Sequence, residues 1–431
     1  MLAAPALADP NIVFKQAPPL PPPTGNVVTV SNVSQLEYHM VTAPFGTTIM
    51  VQPGTYYITK TQAPVAGLTI RGATGNRDDV VIQGWGMHNT SQKRNIFWIT
   101  KSDITIADLT IRDAYYHGIQ IAAEYQTDRI HLYNVKILDC GERFIKGSTN
   151  NIPSYSPDDV VIEYCWLEQI QDFVRRPENS VDPDNYIGGI DAMWCNRWII
   201  RDCVIKNIRG LTGGGRGGIF LWQNCKDCVV ERNAVIGCDT GIAFGNPSGP
   251  AVGTYHMTNG IMRNNFIVRQ YDGADNGYVG IELCKTENTK VYNNTMYSPI
   301  TNDNDYWRSV HINSSVTTGL QLFNNILRGQ IGYTGGASAT LGTNLIDTAV
   351  QPAWFVEPLV GDLRLTAGAT AAINQGQVLP EVTNDFLGSP RDGQPDIGAH
   401  EFVSPVPPQV TAVTPALVQV QHKSAALDRI T

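Results

Sequence analysis

The chain has 431 residues, of which 42% are hydrophobic and only 16% charged, with 40 Gly, 26 Pro and a formal net charge of −8. Low charge excludes a coiled coil or a charged disordered chain, and the glycines lack the strict period of collagen. The acidic balance gives no support to nucleic-acid binding, and no apolar run approaches the ~18 residues that span a bilayer. Neither nucleic acid nor membrane is therefore an expected partner, and any anionic ligand must meet a local basic patch.

Residues 1–25 form a leader that turns Pro-rich after residue 17. Within it Ala6-Leu7-Ala8 has the small residues that end a secretory signal, although an ordinary disordered terminus fits equally. Residues 26–60 read as an N-terminal cap and first coil. Ser31 and Asn32 offer helix caps ahead of an amphipathic turn or two, and Gly46–Val51 and Pro53–Tyr56 follow as strands.

Residues 61–355 carry a repeat, in which a small residue precedes an inward Ile or Val. It returns as Asn95-Ile96, Gly118-Ile119, Phe144-Ile145, Gly189-Ile190, Gly218-Ile219, Gly241-Ile242, Gly280-Ile281 and Ser309-Val310. The shortest spacing, 23 residues, is too short for a strand–helix–strand unit and contains no helical period, so it predicts a coil of short strands. A second row, Asp108, Asn134, Tyr164, Asp202, Asn233, Asn264, Asn293 and Asn324, supplies residues that tolerate left-handed bends and can form a ladder. The predicted fold class is all-β, a right-handed parallel β-helix with a short N-terminal helical cap, whose turns bury their apolar faces only by stacking. Residues 356–402 are predicted to cap its C-terminal end, and 403–431 to be a Pro/Val-rich linker or tail. The eight cysteines show neither zinc nor thioredoxin-like spacing and read as structural.

Alternation along a strand turns the residues one and three after each inward Ile outward. The first outward row is then Phe97, Gln120, Lys146, Asp191, Phe220, Ala243, Glu282 and His311. The second is Ile99, Ala122, Ser148, Met193, Trp222, Gly245, Cys284 and Asn313. Long insertions (Gln171–Gly188, Gly210–Gly217, Gln270–Val279 and Ser298–Arg308) all precede this strand and would raise walls along it. Phe220 and Trp222 offer a sugar platform or a covered satellite core. Arg175, Arg176 and Arg216 offer clamps for a carboxylate or sulfate; Arg175 and Arg176 alternatively pair with Glu178, Asp182 or Asp184. Lys146 is the candidate base for β-elimination, unless it is merely ion-paired with neighbouring Asp191. Hydrolysis would need two carboxyl groups within ~10 Å. Asp191 and Glu282, three turns apart, lie roughly 14 Å from each other, so a loop acid (Glu178, Asp182, Asp184 or Asp239) would be required.

The rung pattern, Pro53-Gly54-Thr55-Tyr56 and Pro395-Asp396-Ile397-Gly398-Ala399 resemble the pectate-lyase-like superfamily of secreted right-handed β-helix proteins over about residues 45–402. Within it, Ile145-Lys146, Arg175–Ser180 and Gly188-Gly189-Ile190-Asp191 resemble a group of bacterial extracellular proteins assigned as polysaccharide lyases. No WiDH, RxPxxR, NTD or GHG segment of the pectate-lyase or polygalacturonase kind is present. The resemblance implies a secreted or periplasmic monomer that cleaves a uronic-acid-containing, anionic polysaccharide by β-elimination. Its catalytic residues would be Lys146, Asp191 and Arg216, with Asp191 a metal ligand or orienter and calcium the one cofactor the chemistry could use. Gln120, Arg175, Arg176, Phe220, Trp222, Glu282 and His311 would bind substrate. A glycoside hydrolase and a non-catalytic glycan-binding surface protein remain alternatives.

Overall fold

The computed structural model describes residues 15–148, 155–179, 182–249, 253–269, 279–299 and 308–403. The signal-like start, nearly all of the tail, and most of the Gln270–Val279 and Ser298–Arg308 insertions lie outside the described residues.

Successive turns of the chain stack strand on strand. One face is a nine-stranded parallel sheet whose spatial order follows the sequence. Its strands are β1 (Phe97–Ile99), β2 (Ile119–Ala122), β3 (Arg143–Ser148), β4 (Gly188–Met193), β5 (Ile219–Trp222), β6 (Thr240–Phe244), β7 (Val279–Cys284), β8 (Arg308–Asn313) and β9 (Gln330–Thr334). The inward residues Ile119, Ile145, Ile190, Ile219, Ile242, Ile281 and Val310 align in register and are fully buried. Where the residue before the inward one is glycine (Gly118, Gly189, Gly218, Gly241 and Gly280) this is a steric requirement, and Phe144 before Ile145 is the exception. A Cβ on Gly241 would lie 2.3 Å from the Gly280 carbonyl oxygen of the next turn.

The other faces join in a continuous network of 21 parallel strands. The chain bends through left-handed residues five positions apart, Asp103, Asp108 and Asp113 in one turn and Arg129, Asn134 and Asp139 in the next. One predicted bend residue is misplaced. Arg232, not Asn233, takes the left-handed conformation, because hydrogen bonding to the neighbouring turns gives Asn233 a better place one residue further, inside. There Asn233, Asn265, Asn294, Asn325 and Asn344 form the ladder, each side-chain oxygen accepting both the backbone and side-chain N–H of the asparagine before it at 2.9–3.1 Å. Cys165 and Cys203 continue the same interior column, and all eight cysteines are buried free thiols. Burial pushes the Cys238 thiol up to about 12.

The start of the outward row is also corrected. Phe97 pairs with Ile119 and Trp98 with Gln120, so Phe97 and Ile99 face the core and Trp98 faces out. Ile96 and Phe97 are both apolar, and apolarity alone does not settle a one-residue slip at a strand end.

Helix α1 (Val33–Thr42) begins at Asn32, whose side chain accepts the Gln35 N–H at 3.0 Å, and it buries Leu36 and Met40 over the first turn. The C-terminal segment does not sit over the far end of the coil. Trp354, Phe355, Leu363, Phe386 and Ile397 pack sideways against Trp166, Val204, Ile236, Phe266 and Ile326 on its outer flank. Arg391 reaches Asn264, and Ala399 N–H donates to Thr295. The leader also runs along the outside, where Leu20 and Pro21 accept hydrogen bonds from Arg71, and Lys15 pairs with Asp202. No helix among the described residues is long and apolar enough to cross a membrane.

Candidate functional site

Along the nine-stranded sheet the outward row from Gln120 to His311 holds in register: Gln120, Lys146, Asp191, Phe220, Ala243, Glu282 and His311 lie side by side on consecutive strands. Two clusters of charged and polar side chains occupy it.

The first surrounds Lys146. Lys146 and Asp191 are register partners, yet Asp191 forms its ion pair with Arg143, Nε to Oδ2 at 2.6 Å, and its other oxygen accepts the Trp222 indole N–H at 3.1 Å. Lys146 Nζ instead donates to the Tyr186 hydroxyl at 3.0 Å. The Arg143 guanidinium stacks 3.8 Å from the Tyr186 ring centroid. Burial would lower the Arg143 guanidinium, but Asp191 and Tyr186 outweigh it and the group is held more basic than usual. Buried His117 accepts the Arg143 backbone N–H, and burial, with the charges of Lys146 and Arg143, pushes it well below the usual imidazole range. Gln120 is held between Asn95 and Ser148 at 2.6 and 3.0 Å.

This arrangement does not fit Asp191 as a calcium ligand. Both of its oxygens are engaged by donors, one of them a cation, and no group of three or more His, Cys, Asp or Glu among the described residues is arranged to hold a metal.

The predicted arginine clamps divide. Arg176 is a structural residue. It is 2% exposed, donates to the Gly141 and Met87 carbonyls at 3.0 and 2.6 Å, and stacks on Tyr115. Arg175 projects into solvent and pairs with Asp184 at 3.0 Å. Neither reaches Lys146, because a loop that must close on itself spends one arginine inside and leaves its neighbour outside. Arg216 pairs with Asp182 at 3.2 Å and lines a different cavity.

That cavity, of about 500 Å³, is the second cluster. Its walls include Arg216, Phe220, Glu282, Arg308 and His311. Phe220 is buried and lies parallel to Trp222, with centroids 5.4 Å apart. A Cβ on Gly249 would lie 2.7 Å from the Trp222 ring, so the loop above covers it. Phe220 is thus a wall of the cavity, and the pair is not an open platform. Glu282 Oε2 bonds His311 Nδ1 at 2.8 Å, while His311 Nε2 reaches Thr334 at 2.8 Å. Burial raises the Glu282 carboxyl above the usual range against the opposing effects of His311 and Arg308. Of the other loop acids considered for hydrolysis, Asp182 lines this cavity. Glu178 is bound by Tyr115 at 2.7 Å, Asp184 by Arg175, and buried Asp239 by the Gly210 and Gly215 N–H groups at 2.7 and 2.8 Å.

Among the residues of these clusters that lay outside the sequence-based site set are Arg143, Tyr186 and Arg308. A signal for two of them exists. Arg143 and Arg308 each stand two residues before an inward rung residue, Ile145 and Val310, where a side chain emerges at the sheet edge. Tyr186 carries no such mark, since its place depends on how the 171–188 loop returns.

Comparison with solved structures agrees on the architecture. Pectate lyase Pel9A superposes with a TM-score of 0.60 at 15% identity, covering 91% of this chain and 97% of that one. The fold is the right-handed parallel β-helix of pectate lyase. An alginate lyase from Paenibacillus sp. str. FPU-7 (TM-score 0.43, 16% identity, 74% and 95% of the two chains) and the polygalacturonase of Erwinia carotovora ssp. carotovora (0.41, 10%, 80% and 99%) are similar to parts of the same β-helix. No family model matches the sequence, and no curated protein matches it.

Proposed function

We propose that this β-helix is a secreted polysaccharide lyase that cleaves an anionic, uronic-acid-containing glycan bound along the nine-stranded sheet. The observation that supports it is the Lys146–Tyr186 couple at 3.0 Å, freed because Arg143 and Trp222 take both oxygens of Asp191. A lysine locked to a carboxylate would be held charged and unreactive.

In β-elimination Lys146, as general base, removes the proton on the carbon beside the sugar carboxylate. The electron pair forms a carbon–carbon double bond, the neighbouring C–O bond breaks, and the Tyr186 phenol gives its proton to the departing oxygen. The products are one unsaturated end and one new hydroxyl end. Asp191 acts as a positioning residue, holding Arg143 against the Tyr186 ring. Polygalacturonate, alginate and a glucuronan, followed by both ultraviolet absorbance and reducing-end release, test the assignment. Absorbance should rise with at least one of them. Lys146→Ala and Tyr186→Phe should each lower kcat by about 10²-fold or more with little change in KM. Reducing ends without absorbance, or full activity in Lys146→Ala, would sink it.

One observation favours hydrolysis as the second reading. Glu282, with its raised carboxyl, shares a cavity with Asp182, and a hydrolase needs a protonated acid with a second carboxyl nearby. Saturated products lost in Glu282→Gln would select it. The version built on Asp191 loses its acid to Arg143.

A further inference from the structure

Three strands beyond Lys146, roughly 14 Å along the sheet, the outward row is interrupted. Ala243 places a methyl group between Phe220 and Glu282, where its neighbours carry large side chains. In the second row Gly245 has φ 103°, and a Cβ there would lie 2.1 Å from the Cys284 carbonyl oxygen, so no side chain can fill the position. These two positions open the floor of the 500 Å³ cavity. Its opposing walls, Phe220 and Glu282, start two rungs apart, roughly 10 Å.

The charges around it are not all paired in contact. Arg216 is matched by Asp182 at 3.2 Å. Arg308 lines the cavity, half-buried, and its guanidinium has no ion pair or hydrogen bond among the described residues. Glu282 is the remaining acid, and its side chain is only 10% exposed. One of its oxygens is held by His311, while Oε1 is buried without a hydrogen-bond partner. Burial disfavours its charged form. A guanidinium without an ion pair, a carboxyl group with one unpaired oxygen and an apolar ring therefore line one cavity. A buried polar atom left unpaired is disfavoured, and a ligand hydroxyl that reached it would relieve that.

We propose that this cavity is a subsite for a single acidic sugar of the glycan, with Arg308 taking its carboxylate, the Glu282 carboxyl turning to bond a ring hydroxyl, and Phe220 packing against the ring. The inference rests on the anionic glycan of the proposed function but not on the Lys146 chemistry.

Its test measures affinity by calorimetry in full-length Lys146→Ala, with and without Arg308→Gln or Glu282→Gln. The ligands are tetragalacturonate, an alginate tetrasaccharide, a glucuronan tetrasaccharide, fully methyl-esterified tetragalacturonate and a sulfated carrageenan tetrasaccharide. At least one carboxylated tetrasaccharide should bind, and Arg308→Gln should weaken it at least tenfold. Where that ligand is tetragalacturonate, its ester should bind at least tenfold more weakly and lose less than threefold on the same substitution. Glu282→Gln, which keeps the shape and the His311 contact, should weaken acid and ester alike by about threefold to tenfold. The Arg308 guanidinium has no ion pair or hydrogen bond among the described residues, and Gln keeps part of its stem; a thermal melt checks that the variant folds.

Failure of all three carboxylated ligands to bind overturns the inference, as does unchanged affinity in Arg308→Gln or a stronger preference for the sulfated ligand. Unchanged affinity with abolished cleavage in Glu282→Gln, placed in the Lys146 wild-type background, also overturns it by making Glu282 a reacting group. If Lys146→Ala still cleaves, the lyase assignment falls on its own, and KM replaces Kd in the same comparisons.

Discussion

Replacing Asp191 by alanine leaves the Arg143 guanidinium buried without its counter-charge. The two side chains are 3% and 5% exposed and 2.6 Å apart, so solvent can do little to compensate. Removing one partner of such a buried pair costs about 3–5 kcal/mol. The Trp222 N–H loses its acceptor as well, but that side chain is half-buried and water can replace the oxygen. The Tyr186 ring 3.8 Å away retains a cation–π attraction of about 0.5–2 kcal/mol, which keeps the total near the lower end. The expected loss is therefore about 3 kcal/mol, a factor of roughly 10² in the folding equilibrium. Arg143→Met should cost a similar amount, whereas Arg143→Met with Asp191→Leu should cost clearly less than the sum, because no charge is then stranded. Urea unfolding of the four proteins measures the cycle, and hydrogen exchange over residues 188–193 localises it. A loss below about 1 kcal/mol in Asp191→Ala, or strict additivity in the double variant, would refute the claim that this pair organises the Lys146 cluster.

Other consequences follow from neighbouring contacts. Arg175→Ala should change stability by less than about 0.5 kcal/mol, as an exposed ion pair contributes little. Arg176→Ala next to it strands the Gly141 and Met87 carbonyls and should cost about 2–4 kcal/mol; equal melting temperatures for the two variants would contradict their assigned places. Glu282 has a folded pKa raised above 4.5, first by burial. Its contribution is fully present below the unfolded value and is lost as pH rises through the folded one, so Glu282→Gln should gain stability relative to wild type between pH 4 and 7 in urea titrations. A flat difference across that range would show that burial does not govern this carboxyl. Gly241→Ala forces a Cβ to 2.3 Å from a backbone oxygen and should destabilise by about 1–3 kcal/mol or more. A melting temperature equal to wild type would mean the turns can separate locally.

By itself the sequence determined the coil and the face that carries the charged and polar row. Small residue, inward Ile, outward residue is a local pattern with a period of two, and stacking repeats it on every turn. The row Gln120, Lys146, Asp191, Phe220, Ala243, Glu282, His311 was therefore legible without coordinates. Where the local signal was degenerate, as at Ile96-Phe97 or Arg232-Asn233, register slipped by one, since either residue satisfied the pattern. Only the tertiary structure decided the partners. Lys146 and Asp191 are adjacent in the row, yet Arg143 reaches Asp191 from the strand edge and Tyr186 reaches Lys146 from a loop. Arg175 and Arg176 are chemically identical neighbours, and the return path of one loop buries the second and exposes the first. The cavity at Glu282 likewise depends on two small residues, Ala243 and Gly245, at positions where neighbouring strands carry large side chains. Spacing along a strand fixes which way a side chain points, but which charge it meets depends on loops whose course is set by contacts distant in sequence.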